Sequence, residues 1–88
     1  LPLFVTEWGT TLNTGGGECF HDKSLEWLSF MKKHNISWAN WSVNNKGEAS
    51  GALVFNADRD AKGSWKLEDL SPNGVFMRSV LRNEIKIK

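Results

Sequence analysis

This sequence lacks several things, and each shortage removes a class of explanation. It has one cysteine, Cys19, so no internal disulfide framework can hold it together, and the thiol could pair only with another chain. Neither charge sign dominates: eleven Lys and Arg against ten Asp and Glu leave a formal charge of +1. That balance gives no electrostatic reason to expect nucleic acid or an anionic membrane as partner. No apolar run approaches the roughly 20 residues that a membrane-spanning helix needs. Tyrosine is missing, although five tryptophans and five phenylalanines are present. A buried tryptophan removes roughly 200 Å² from water, so five are more than a small core easily takes in. Some of these rings are expected to pack on protein outside the chain or to face a ligand. No initiator methionine or leader opens the sequence. It starts Leu1-Pro2-Leu3-Phe4-Val5, residues suited to the inside of a sheet, and the expectation is a piece of a longer precursor.

What is present reads as ordinary globular material, 40% hydrophobic and 24% charged over 88 residues. Leu3-Phe4-Val5-Thr6 is a continuous apolar and β-branched run, the pattern of a strand buried on both faces, ending at Glu7-Trp8-Gly9. A Gly-rich polar loop follows. The spacing then predicts a helix from about Asp22, whose carboxylate can cap it, to His34. Phe20, Ser24, Trp27, Leu28 and Met31 form its inner stripe. Lys32, Lys33 and His34 suit the negative end of its dipole, and Asn35 suits a left-handed stop. Ile36 to Trp41 reads as a second strand. A long loop runs from Ser42 to Gly63, with Ala52-Leu53-Val54-Phe55 briefly extended. Ser64 to Leu70 could hold one helical turn. Ser71-Pro72 marks the start of a last helix, with Val75, Phe76, Val80 and Leu81 at helical spacing up to about Asn83. Ile85 and Ile87 alternate with lysines in a tail without an assignment.

Strands alternating with helices point to an α/β fold with a parallel sheet. The two strands begin 33 positions apart, near the ~30 residues of one βα repeat. Two such units cannot close a barrel. A complete (β/α)8 barrel takes about 250 residues, and this chain would be its last third. Active sites of such barrels lie at the C-terminal strand ends, which is where Glu7 and Trp41 fall. By position alone, Glu7 reads equally well as a functional carboxylate or as a surface glutamate where the strand meets solvent. Trp41 by itself reads more readily as a core ring. Cys19, His21 and Asp22 do not make up the four ligands of a structural zinc site.

The motifs sharpen this. Phe4-Val5-Thr6-Glu7-Trp8-Gly9-Thr10 resembles the nucleophile motif of glycoside hydrolase family 5, at the end of the seventh strand of a TIM barrel. Ser37-Trp38-Ala39-Asn40-Trp41-Ser42, continued by Lys46-Gly47-Glu48-Ala49-Ser50-Gly51-Ala52-Leu53, resembles that family's eighth strand and the loop after it. Gly63-Ser64-Trp65 and Leu70-Ser71-Pro72-Asn73-Gly74 resemble the closing segment before the last helix. The similarity covers nearly the whole chain, in order, and is nearest to the bacterial endo-1,4-glucanase branch.

The resemblance implies a retaining glycosidase, in which two carboxyl groups about 5–5.5 Å apart flank the scissile bond. It assigns the nucleophile to Glu7, sugar stacking to Trp41, and hydrogen bonds with sugar hydroxyls to Lys46 and Glu48, with a looser match at Asn13 and Thr14. Trp8 would support Glu7, while Trp27 and Trp38 would pack. The family's acid/base residue lies in an Asn-Glu pair on the fourth strand. Asn83-Glu84 stands in the wrong place to fill that role, so the resemblance implies a partner: the N-terminal part of the same enzyme. It further implies a secreted enzyme acting on cellulose or a related β-glucan, without cofactor or metal, with lichenan or mannan as other substrates in the family. Two rivals stay open. One is a stand-alone carbohydrate-binding module, usually all-β. The other is a structural interaction domain in which Glu7 is incidental.

Overall fold

Two extended runs separated by one helix lie side by side as parallel strands. The computed structural model describes residues 2–12, 16–58 and 65–88. Strand β1 (Phe4–Trp8) is followed by helix α1 (His21–Lys33), strand β2 (Ser37–Asn40), a 3-10 turn at Leu67–Asp69 and helix α2 (Pro72–Leu81). β1 and β2 pair in parallel, with Phe4 opposite Ser37 and Val5 opposite Trp38, but Trp8 opposite Asn40. Three steps along β1 thus match two along β2, and the extra residue falls between Val5 and Trp8. A bulge of this kind re-aims side chains, and it contains Glu7. The α/β character agrees with the sequence. The strand limits differ: β1 runs through Glu7 to Trp8 instead of stopping at Thr6, and β2 is shorter than 36–41.

β2 is shorter because Ile36 belongs to the end of the preceding helix. Asn35 adopts the left-handed conformation (φ 55°), and the Ile36 N–H reaches back to the Met31 carbonyl at 2.8 Å while the Asn35 N–H reaches Lys32 at 3.2 Å. This is a Schellman stop with asparagine in the position that most often takes glycine. α2 ends in the same way: Asn83 has φ 59°, Glu84 N–H donates to Ser79 and Asn83 N–H to Val80. The start of α1 departs from expectation. The N-cap is Phe20, with no side-chain cap, and Asp22 lies within the first turn. There its charge faces the positive end of the helix dipole, and the Phe20 N–H is instead fixed by the Thr10 carbonyl at 2.6 Å.

The helices share one core of Leu28, Met31, Phe76, Met77 and Val80, against which Val5, Trp8, Trp38, Ile85 and Ile87 pack. The tail without an assignment is therefore part of the packing, and the Lys32 ammonium donates to the Ile87 carbonyl at 2.7 Å. Among the described residues, only one face of the sheet is covered. Phe4 is 59% exposed, so the expectation of a strand buried on both faces is not met by the residues described. Trp27, expected to pack, is 61% exposed and touches Phe30 edge-on at 6.1 Å.

The phase of α2 also differs from the sequence reading. Asn73, Phe76, Met77 and Val80 face inward, while Val75 and Leu81 face out. The rotation is fixed at the N-terminus. The Ser71 hydroxyl caps the Gly74 N–H at 3.1 Å, the Ser71 N–H donates to the Ala52 carbonyl at 2.9 Å, and Gly74 lies against that same carbonyl. A Cβ on Gly74 would collide with the Ala52 carbonyl oxygen. Because the obstacle is backbone, the helix must move to relieve it. Gly74→Ala is expected to cost at least the ~1–3 kcal/mol typical of overpacking, read as a lower urea midpoint at unchanged slope.

Candidate active site

A carboxylate placed at the end of a strand has two fates, burial with a partner or exposure over an open cleft. Glu7 takes the second. The strand pairing brings it to the rim of a cleft of about 740 Å³, together with Trp8, Trp41, Lys46 and Glu48. Trp41 follows β2 directly, and its N–H donates to the Trp8 carbonyl at 2.8 Å, so the two segments are joined at Trp41 itself and one residue from Glu7. The Trp41 ring is 50% exposed, which leaves an aromatic surface toward the cleft without a core role. The Trp41–Ser42 peptide is cis. Trp8 itself is half-buried and meets Trp38 edge-on at 5.5 Å. Its indole N–H is buried and has no partner among the described residues.

Lys46 and Glu48 reach the cleft because the loop after β2 folds back on itself. Asn44 is the pivot. Its carboxamide oxygen accepts the Lys46 N–H at 3.2 Å, and its NH₂ donates to the Ser42 hydroxyl at 2.8 Å, a local bonding habit for which asparagine is suited. Further along, the Asn45 amide donates to the Ala57 carbonyl at 2.8 Å, and the Leu53 N–H donates to the Asn44 carbonyl at 3.1 Å. Leu53 and Leu70 form an antiparallel bridge, which accounts for the extended stretch expected there, and the expected helical turn is the 3-10 turn at Leu67–Asp69. Four of the six residues singled out from the sequence, Glu7, Trp41, Lys46 and Glu48, therefore line one cleft. The other two, Asn13 and Thr14, lie outside the described residues, as do Gly63 and Ser64.

The sequence reading missed the polar residues beneath the cleft. Asn40 donates from its amide to the Trp8 carbonyl at 3.1 Å. Thr10, 1% exposed, donates to Asn73 at 2.8 Å and accepts from the Cys19 thiol at 3.0 Å. The signal was available in principle: asparagine is a poor strand residue, yet Asn40 ends one. His21, Cys19 and Asp22 form no metal cluster, and among the described residues no group of three ligating side chains does. His21 instead stacks on Phe76 at 4.6 Å.

A carboxylate, a half-exposed indole, an ammonium and a second carboxylate around one open cleft suit a polyhydroxylic ligand. Hydroxyls can donate to and accept from such groups, and the apolar faces of a sugar ring can cover the indole. Comparison with known proteins agrees with this chemistry. Residues 1–47 match the family model for Cellulase (glycosyl hydrolase family 5). The chain belongs to glycosyl hydrolase family 5. It is 44% identical over 85 residues to Endoglucanase A of Evansella cellulosilytica, covering 97% of this chain and 17% of that protein. Among solved structures, a thermostable, halotolerant GH5 cellulase from an Icelandic hot spring isolate superposes with a TM-score of 0.85 at 39% identity, over 91% of this chain and 25% of that one. The catalytic domain of alkaline cellulase K gives 0.82 at 39% identity, over 97% and 26%. The chain thus spans about a sixth of the first of these relatives and about a quarter of the two solved chains.

Within this family 5 segment, Gly47 sets the geometry between Lys46 and Glu48. It has φ +87°, and a Cβ there would press on the Phe55 ring at 3.2 Å. Gly47→Ala is expected to cost about 1–2 kcal/mol, the usual penalty for a side chain in left-handed backbone. Its site of action is checked by amide exchange: protection should fall over 44–57 and stay unchanged in α1.

Proposed function

We propose that this chain is the closing portion of a secreted, retaining endo-1,4-β-glucanase, forming the seventh and eighth βα units of its TIM barrel and supplying the nucleophile Glu7. The observation that carries the reading is the meeting of Glu7 with Trp41, Lys46 and Glu48 around one cleft at the C-terminal strand ends, the end at which barrel enzymes hold their chemistry. In this reading the Glu7 carboxylate attacks the anomeric carbon. The bond to the leaving oxygen breaks as an acid from another part of the enzyme protonates that oxygen. The same acid, now a base, takes a proton from water, which displaces Glu7 and releases the sugar with its configuration retained. Trp41 stacks on a glucose ring, and Lys46 and Glu48 bond hydroxyls of the same chain, with Asn13 and Thr14 completing that end. The endoglucanase and cellulase relatives support β-1,4-glucan as the substrate class. A polymer too large to enter a cell supports secretion.

The acid/base carboxyl comes, in the same reading, from an N-terminal part of the enzyme docked against β1. Support lies in the surface there: Leu3 and Phe4 are exposed, and a mostly apolar groove of about 270 Å³ lies between β1 and α1, lined by Val5, Trp27, Phe30 and Ile36 and also by Glu7. Exposed apolar surface of this kind marks an interface. Native mass spectrometry should find the 88-residue chain with a larger fragment and release it only on denaturation. A folded, monomeric 88-residue species would remove the partner.

Glu7→Gln in the full-length enzyme is expected to lower kcat on a soluble β-1,4-glucan by about a thousandfold or more, the scale on which loss of a nucleophile acts. Retained activity would take Glu7 out of the mechanism. Trp41→Ala should weaken cello-oligosaccharide binding by about tenfold or more, as loss of a buried aromatic anchor does, with little change in melting temperature because half of the ring is already exposed. Isothermal titration checks the first and calorimetric unfolding the second.

A further inference from the structure

Asn73 is 0% exposed, at the second position of α2, and a buried carboxamide costs several kcal/mol unless its hydrogen bonds are met. A methionine or leucine would fill such a position without that penalty. What the amide bonds to is informative. Its oxygen accepts from the Thr10 hydroxyl at 2.8 Å, in the loop that leaves β1. Its NH₂ donates to the Ser50 carbonyl at 2.9 Å, just beyond Lys46 and Glu48, and makes a longer approach of 3.5 Å to the Asn40 carboxamide oxygen. Asn40 in turn donates to the Trp8 carbonyl, which also accepts the Trp41 N–H, and the Ser50 carbonyl also accepts the Ser42 N–H at 3.2 Å. The carbonyl of Ser50 can only accept, which fixes the amide nitrogen on that side and the amide oxygen toward Thr10. Each partner lies within a few residues of a cleft-lining group, and none belongs to the apolar core.

We propose that Asn73 is a positioning residue for the sugar cleft, holding the Glu7 strand end, the Trp41 strand end and the Lys46–Glu48 loop in one mutual geometry through a single buried amide. The proposal rests on the reading of the cleft given above and adds to it a residue that never touches substrate. The group must accept from Thr10 and donate to Ser50 at once, which a carboxamide does at any pH. An aspartate in its place has the same shape but, when ionised, can only accept.

The test uses the full-length enzyme and a soluble β-1,4-glucan oligosaccharide. Asn73→Asp is expected to lower kcat/KM by roughly 10- to 100-fold near neutral pH, the scale of loss that a displacement of about 1 Å produces. A buried carboxyl has its pKa raised by desolvation. Lowering the pH therefore protonates it and restores a donor toward Ser50. The ratio of variant to wild-type kcat/KM should rise as pH falls when it is measured at a temperature where both proteins stay fully folded at every pH, so that the pH-dependent stability of a buried carboxyl does not contribute. Should Asn73→Asp fail to fold, Thr10→Val, which keeps the volume and removes only the hydroxyl, is expected to lower kcat/KM at least threefold in a folded protein. A folded Asn73→Asp variant whose activity stays within twofold of wild type at every pH overturns the proposal, as does a loss with a pH-independent ratio. So does Thr10→Val activity within twofold of wild type where Asn73→Asp does not fold. Glu7→Gln run in parallel separates the two levels. If activity survives it, the reading of the cleft fails. If activity is lost there yet unchanged in the Asn73 and Thr10 variants, only the positioning role fails.

Discussion

The cleft depends on one carbonyl. The Trp8 oxygen accepts both the Trp41 N–H at 2.8 Å and the Asn40 amide at 3.1 Å, and so ties the end of β1 to the end of β2 with a backbone bond and a side-chain bond together. Without it, the segment carrying Glu7 and the segment carrying Trp41 would be two loops leaving a two-stranded sheet. Carbonyl oxygens have two lone pairs, and both are used here. The bulge just before Trp8 makes this possible. By inserting one residue in β1 it brings Trp8 opposite Asn40, within reach of the Asn40 side chain, and leaves Glu7 on the cleft side.

Order then spreads outward by hydrogen bonding and not by burial. Among the described residues nothing covers the face of the sheet opposite the helices, so apolar packing alone does not define where the strand ends point. What does so is a run of buried or half-buried polar contacts: Cys19 to Thr10, Thr10 to Asn73, Asn73 to Ser50 and Asn40 to Trp8. Such chains carry a high penalty when broken, because a buried group left without its partner loses its solvation with nothing in return. That penalty favours a single arrangement of the cleft over many similar ones. The helix that provides Asn73 is itself indexed by backbone, through Ser71 and Gly74 against the Ala52 carbonyl, so the amide arrives at a fixed depth.

How much of this the sequence revealed follows from the range of the interactions. Local signals read well. The Ser71-Pro72 start and the Asn35 stop each rest on contacts within a few residues, and each stands in the structure. Motif resemblance brought Glu7, Trp41, Lys46 and Glu48 together, which composition and periodicity could not. The misreadings are of another kind. Asp22 has the side chain of an N-cap, but the N-cap lies two residues earlier, at Phe20, whose N–H the Thr10 carbonyl holds. Val75 and Leu81 are more apolar than Asn73, yet Asn73 and Met77 share one helical face with Phe76 and Val80 while Val75 and Leu81 fall to either side of it. The Ser71 and Gly74 contacts with the Ala52 carbonyl hold that face inward. Thr10 and Asn73 are 63 positions apart, and no pattern in a single sequence links a threonine in a Gly-rich loop to an asparagine after a proline.

The aromatic excess also resolves in physical terms. Trp8 and Trp38 enter the core edge to face, and Trp65 donates from its indole to the Asp58 carbonyl at 2.7 Å. Trp27 and Trp41 stay largely exposed among the described residues, and they lie on different surfaces. Trp27 borders the mostly apolar groove beside β1, which Val5, Phe30, Met31 and Ile36 line together with Glu7. Trp41 stands over a cleft with two carboxylates and an ammonium. An indole among apolar groups suits protein; an indole among hydrogen-bonding groups suits a ligand that is apolar on its faces and polar at its edge, which is the chemistry of a pyranose ring. The two exposed tryptophans thus lie in different chemical settings, one mostly apolar and one rich in hydrogen-bonding groups.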